Sequence, residues 1–264
     1  MSRITRKFEE LKKQKSKALI TFITAGDPSL SATEKIVYEL EKNGADIVEL
    51  GVPFSDSVAD GPTIQRSYQR ALKKNVTLSQ ILALVKKIRN KSQIPIVLMA
   101  SYNLIFKYGV EKFCRDAVNS GVDGLIPPDL PPEEGKVLKK SAKACKLDTI
   151  FLVSPVSDEG RVANAAKLSS GFIYLVSLLG ITGARQKLSD TIAASVKRIR
   201  KYTKKPVAVG FGISTPDQAQ KVSKFAEGVI VGSAIIDRIE KNVASHFRMR
   251  RDVGKFVKEL KCAI

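Results

Sequence analysis

The feature that most constrains this chain is the regular recurrence of one unit. A short apolar run is followed by a Gly-, Pro- or Asp-rich loop and then by a stretch of helical period. Apolar runs fall at 18–23, 46–50, 95–99, 124–126, 148–153, 171–177, 206–209 and 228–231. Helical periodicity falls between them, at 31–43, 64–73 with 78–90, 109–120, 132–145, 158–168, 188–202 and 216–225, with apolar residues three and four apart. A last helix is expected over the C-terminal tail. The runs are continuously apolar rather than alternating, as parallel strands covered on both faces must be. Eight strands, each followed by a helix, in 264 residues is the count of a (β/α)8 TIM barrel. Ser2 precedes a further amphipathic segment with Ile4, Phe8 and Leu11 on one side, so an extra N-terminal helix is expected. No Pro-, Gly- or Ser-rich linker divides the sequence, and 1–264 reads as a single TIM-barrel domain. A doubly wound sheet is the alternative, but the first strand is not followed by GxGxxG.

The second unit carries the sharpest chemical signal. The run Asp46-Ile47-Val48-Glu49-Leu50 sets a carboxylate among apolar neighbours, and the loop after it carries Asp56 and Asp60. In such a barrel, catalytic groups sit at the C-terminal ends of the strands. Enclosure of Glu49 disfavours its charged form and raises its pKa. Asp60, on a polar loop, is expected to ionise more readily. Two carboxylates in unlike surroundings suit a division of acid–base work. An outward-facing Glu49, or one paired with a lysine, is an equally open reading of this pattern.

Three later loops are glycine-bearing: 180–184, 210–214 and 231–234. Glycine lets backbone N–H groups approach an anion, and a helix N-terminus adds dipole charge. With Ser214 and Ser233 placed to cap short helices, phosphate binding is the better reading than simple turns. The residues thus point to a barrel enzyme acting on a phosphorylated small molecule, with its carboxylates on the second strand and loop.

Composition removes other classes. With one histidine, His246, a Ser-His-Asp triad or multi-histidine metal site is not available. Three widely spaced cysteines without CxxC argue against a disulfide framework or zinc site, and no metal is expected. No run approaches the ~18 apolar residues of a membrane span, and the charged N-terminus has no signal-like apolar core. A cytoplasmic protein without membrane contact is expected. The net charge of +19 comes from lysines spread over nearly every expected helix, without aromatic interleaving. Nucleic acid is therefore not expected as a partner, although an anionic substrate would feel an attractive field.

The stretches ELGVPFSDSVADGPTIQ, FITAGDP, DGLIPPDLPPEE, ITGAR, VGFGIS and VIVGSAI, in this order along essentially the whole chain, resemble the tryptophan synthase alpha subunit family. The resemblance implies a lyase that cleaves indole-3-glycerol phosphate to indole and glyceraldehyde 3-phosphate in tryptophan biosynthesis. It implies Glu49 as the general acid–base, Asp60 as acceptor of the indole N–H, and Tyr174 close to the reacting centre. It implies an apolar slot for indole from Phe22, Met99, Ile126 and Phe211, with Leu98 and Ile230 better read as core. It assigns the phosphate to Gly183, Gly212, Ser214, Gly232 and Ser233, and a closing loop to Thr182. The family works as an αββα complex with a beta subunit that carries pyridoxal phosphate and receives the indole, so no cofactor is expected on this chain. The stretches 53–59 and 101–106 would face that partner. Departures from the family pattern fall at Ser57, Ser101, Pro127 and Leu178-Leu179, all on loops, so a chemically complete but weakly gated site is expected.

Overall fold

The computed structural model describes residues 1–57, 60–176, 185–210 and 212–264, the side chains of 185–189 excepted. Thr182, Gly183, Phe211 and Leu178-Leu179 therefore lie outside the described residues. Helix α1 (Arg3–Lys13) precedes β1 (Ala18–Thr24). Then come α2 (Leu30–Lys42), β2 (Ile47–Gly51), α3 (Pro62–Leu72), α4 (Leu78–Ile88), β3 (Ile96–Met99), α5 (Tyr102–Tyr108), α6 (Val110–Asn119) and β4 (Gly124–Ile126). A 3₁₀ turn (Pro132–Glu134) leads into α7 (Lys136–Ala144). The rest is β5 (Asp148–Thr149), β6 (Leu152–Val153), α8 (Glu159–Leu168), β7 (Ile173–Val176), α9 (Arg185–Arg200), β8 (Val207–Gly210), α10 (Pro216–Ser223), β9 (Gly228–Val231), α11 (Ser233–Lys241) and α12 (His246–Cys262).

The strands are all parallel, in the order β5-β4-β3-β2-β1-β9-β8-β7-β6. The two ends of that order, β5 and β6, are halves of one run, 148–153. Ile150 N–H donates to Leu125 O on the β4 side (2.9 Å). Phe151 O accepts from Tyr174 N on the β7 side (3.3 Å). The expected fifth strand is thus split where it passes from one neighbour to the other, and there the eight-strand TIM barrel closes.

Helix α1 plugs the N-terminal end of the barrel. Ser2 caps it, accepting from Thr5 N (3.2 Å) and donating to Asp148 (2.5 Å). Its apolar stripe, Ile4, Phe8 and Leu11, is buried, and the Phe8 ring meets Phe172 at 5.9 Å. Gly124 and Gly171 make room for Ile4: a Cβ on them would stand 2.9 Å and 3.3 Å from its side chain. With this end filled by apolar packing, the opposite end is left for chemistry.

Two expectations change. The C-terminal tail forms two helices, because Asn242 and Ser245 end α11 and cap α12. Helix α5 was not foreseen. Ser101 caps it by accepting from Asn103 N (3.3 Å), and Asp129 accepts from Ser101 Oγ (2.6 Å) and Tyr102 N (2.7 Å). Those partners are 28 and 27 residues apart, beyond the reach of local pattern.

Candidate active site

All five residues of β2 are buried, so its side chains face either the barrel interior or the helical shell. Glu49 pairs in register with Phe22 of β1 on one side and Val97 of β3 on the other. It is 1% exposed, and neither carboxylate oxygen has a hydrogen-bond partner among the described residues. Burial pushes its pKa up to about 8, and the nearby negative charge of Asp60 adds to the rise. An unpaired buried carboxylate is costly. Here the cost is reduced by holding the proton.

Asp60 is held by the first turn of α3. Its N–H donates to Ser57 O (3.1 Å). The Gln65 side-chain amide donates to Asp60 O (2.9 Å) and Ser57 O (3.2 Å). Gly61 and Pro62 start the helix directly after it, and a proline is well placed at a first helical position. Partial burial raises the Asp60 pKa to about 6. Ser57 thus takes part in this turn through its carbonyl. The expected contrast in ionisation holds, although Asp60 is itself shifted upward.

Glu49, Asp60 and Tyr174 line one cavity together with Phe22, Met99, Gly212, Ser214, Gly232 and Ser233. Tyr174 is 4% exposed, and burial, with Glu49 and Asp60 nearby, keeps its phenol protonated well above the ordinary range. Gly210 is required opposite it, since a Cβ there would stand 2.6 Å from the Tyr174 hydroxyl. Ile126 is fully buried beside Met99 and is not on the cavity wall. Leu98 is also fully buried, as a core residue should be, whereas Ile230 lines the cavity instead of serving the core alone.

The far end of the cavity is built from backbone. Gly232 is the N-cap of α11, and no side chain caps that helix. Its first two N–H groups, those of Ser233 and Ala234, therefore remain for an anion, whereas those of Ile235 and Ile236 donate to Gly232 O (2.8 and 3.1 Å). The N-cap of α10 is Thr215, which accepts from Gln218 N (3.3 Å). Pro216 at the first helical position fixes that start, so neither Ser214 nor Ser233 is a cap. Ser214 instead donates its N–H and hydroxyl to Gln218 Oε1 (2.8 and 3.1 Å). Among the described residues no group of three or more His, Cys, Asp or Glu could hold a metal ion.

Sequence reasoning passed over Ile64, Ile213, Ala234 and Asp237, which also line this cavity. Asp237 was findable, because it stands four residues after Ser233 and shares its helix face. A second cavity adjoins the first. Asp60 and Met99 line both, and Phe54, Ser57, Tyr68, Ser101 and Asp129 line only the second. Tyr68 was also missed. Its period within α3 reads as core, and its approach to the carboxylates depends on the tertiary fold.

The profile of the family described as "Tryptophan synthase alpha chain" matches residues 8–264. The tryptophan synthase alpha chain of Geotalea uraniireducens is 53% identical over 264 residues, covering 100% of this chain and 98% of that one. The alpha chain of Geobacter sulfurreducens is 52% identical, with 100% and 99% covered. Among solved structures, tryptophan synthase subunit alpha from Legionella pneumophila str. Paris superposes with a TM-score of 0.93 at 36% identity, covering 100% and 98%. A Mycobacterium tuberculosis tryptophan synthase chain gives 0.89 at 34% identity, again covering 100% and 98%. The chain belongs to the tryptophan synthase alpha chain family, the lyases that cleave indole-3-glycerol phosphate to indole and glyceraldehyde 3-phosphate.

Proposed function

We propose that Glu49 is the general acid–base of this cleavage, with Asp60 as its electrostatic partner. The observation that carries the reading is a fully buried Glu49 carboxyl with no hydrogen-bond partner among the described residues and a pKa near 8, facing the same cavity as Asp60. Near neutral pH, Glu49 holds a proton and Asp60 is ionised. Glu49 delivers its proton to indole C3, and the Asp60 carboxylate stabilises the positive charge that develops at the ring N–H. Glu49, now a carboxylate, takes the proton of the C3′ hydroxyl as the C3–C3′ bond breaks. The bonding electrons return to the ring as indole, and the former carbinol carbon becomes the aldehyde. Glu49 regains its proton, so the cycle is balanced. Tyr174 stands against the reacting carbons as a neutral phenol.

The indole ring would lie against Phe22 and Met99, with Phe211 of the expected slot outside the described residues. The phosphate would sit on Gly212, Gly232, Ser233 and the N-terminus of α11. Ser214 would contribute from the same loop. Thr182 and Gly183 keep the roles the resemblance implies. A beta subunit carrying pyridoxal phosphate is the proposed partner, facing 53–59 and 101–106. Phe106, 67% exposed on α5, supports that face.

The test is indole release from indole-3-glycerol phosphate by wild type and Glu49→Gln, with and without a cognate beta subunit. Release by wild type, faster with the partner and lost in Glu49→Gln, is expected. Wild-type release by Glu49→Gln overturns the assignment.

A further inference from the structure

Tyr68 lies on α3 and is 4% exposed, yet its hydroxyl does not end in apolar packing. The oxygen stands 2.9 Å from where a Cβ on Gly51 would be, and the Phe22 ring comes within 2.5 Å of the same point. Gly51 and Glu49 are two apart on one strand, so they share a face about 7 Å apart. The missing side chain at Gly51 is therefore a slot at the barrel mouth, and the phenol of Tyr68 fills it. From there Tyr68 lines the second cavity, whose wall it shares with Asp60. Its ionisation is opposed by burial and then by the charges of Asp60 and Glu49, so the phenol keeps its O–H as a donor.

We propose that Tyr68 is a positioning residue for Asp60: its O–H, held in the Gly51 slot on the wall of the cavity that Asp60 also lines, donates to the Asp60 carboxylate in the substrate-bound state and keeps it ionised and aimed at the indole N–H. The inference rests on the role given to Asp60 above. Among the described residues, the other ionisable groups that share a cavity with Asp60 are Glu49 of β2, Tyr174 of β7 and Asp237 of α11 on the substrate side. On the Tyr68 side they are Asp129, after β4, and Asp56 of its own loop. Four of these five are carboxyl groups and none is a cation, so a neutral donor has a distinct effect.

The experiment compares wild type, Tyr68→Phe, Asp60→Asn and the double variant, reading kcat and KM for indole release between pH 5 and 9. Tyr68→Phe keeps the ring and removes only the donor. Expected are a kcat about tenfold lower, a KM within about twofold of wild type, and an acid limb moved up by about one pH unit. On the Asp60→Asn background the same change should alter kcat by less than about twofold, because its target is gone. A Tyr68→Phe profile that superimposes on wild type overturns the proposal, even if melting temperature falls. So does an undiminished tenfold loss on the Asp60→Asn background. Wild-type kcat in Asp60→Asn sinks the Asp60 assignment itself, and with it the role of Tyr68, a result that the Tyr68→Phe data alone cannot mimic.

Discussion

At one end of the cavity that Glu49 and Asp60 line the chain presents carboxylates held against their own ionisation; at the other, around Gly212 and Gly232, it presents mainly peptide groups. Glu49 is buried without a partner among the described residues. The Gly232 end is a helix start that no side chain caps. A carboxyl that must both give and take a proton has to be poised, and poising it destabilises the fold. Binding a fixed negative charge needs only oriented N–H groups, which a helix terminus supplies at little energetic cost. The carboxylate end should therefore fail in kcat when altered, and the backbone end in KM.

The sharpest way to break this comparison is Glu49→Gln, which should lower kcat by about 10³-fold or more while raising stability. The folded state holds the Glu49 proton up to about pH 8, against an ordinary value of 4.5. Between those values the unfolded chain has released its proton and the folded chain has not, so stability falls as pH rises. The amide has no charge to bury. At pH 7 the variant should gain on the order of 2–4 kcal/mol by this route. Denaturant melts at pH 5 and pH 8 check it: the gain should be larger at pH 8. An equal gain at both would mean that Glu49 is not held protonated.

The two ends are joined behind the cavity by Arg70, which bridges Asp27, in the loop after β1, and Glu240 of α11 (2.8 and 2.7 Å). Asp27 is completely enclosed. Arg70→Met would leave that carboxylate buried without its cation, a loss of about 3–5 kcal/mol, measurable as a lower urea midpoint. If the bridge also fixes α11, the KM rises more than kcat falls. A fall in kcat alone would place Arg70 with the acid end.

Unaltered enzyme should show kcat/KM as a bell, with an acid limb near pH 6 from Asp60 and a basic limb near pH 8 from Glu49. Raising salt should leave the limbs in place, because burial rather than surface charge sets them. Limbs that move by more than about half a unit would point to screening by solvent and weaken the contrast between the two ends.

The eight-fold recurrence, α1 and the placing of Glu49 on the second strand were legible because each follows from local period and punctuation; the strand runs on to Gly51, so Glu49 stands at its middle rather than its end. Three things were not. The break in the 148–153 run comes from its changing neighbours. The capping of α5 comes from Asp129, far along the chain. Tyr68 shows only an apolar helix position until Gly51 is brought against it. The glycines of the proposed phosphate end were legible as loop residues, but the expected serine caps are not found, because Pro216 and Gly232, not Ser214 and Ser233, set where the helices begin.

The smallest effect expected tests the backbone end directly. In Gly232→Ala the added Cβ would stand 3.3 Å from Phe22 Cβ and Cδ1. That is tight but not overlapping, and Phe22 must move by a few tenths of an ångström. The helix start survives, and no catalytic carboxyl is touched. KM for the phosphorylated substrate should rise about two- to fivefold with kcat nearly constant, and inhibition by inorganic phosphate should weaken by the same factor. A loss of kcat instead, with phosphate inhibition unchanged, would mean that the Phe22 ring conveys the change to Glu49, its partner in register. The two ends would then be one mechanical unit, and the division between binding by backbone and catalysis by side chains would not hold.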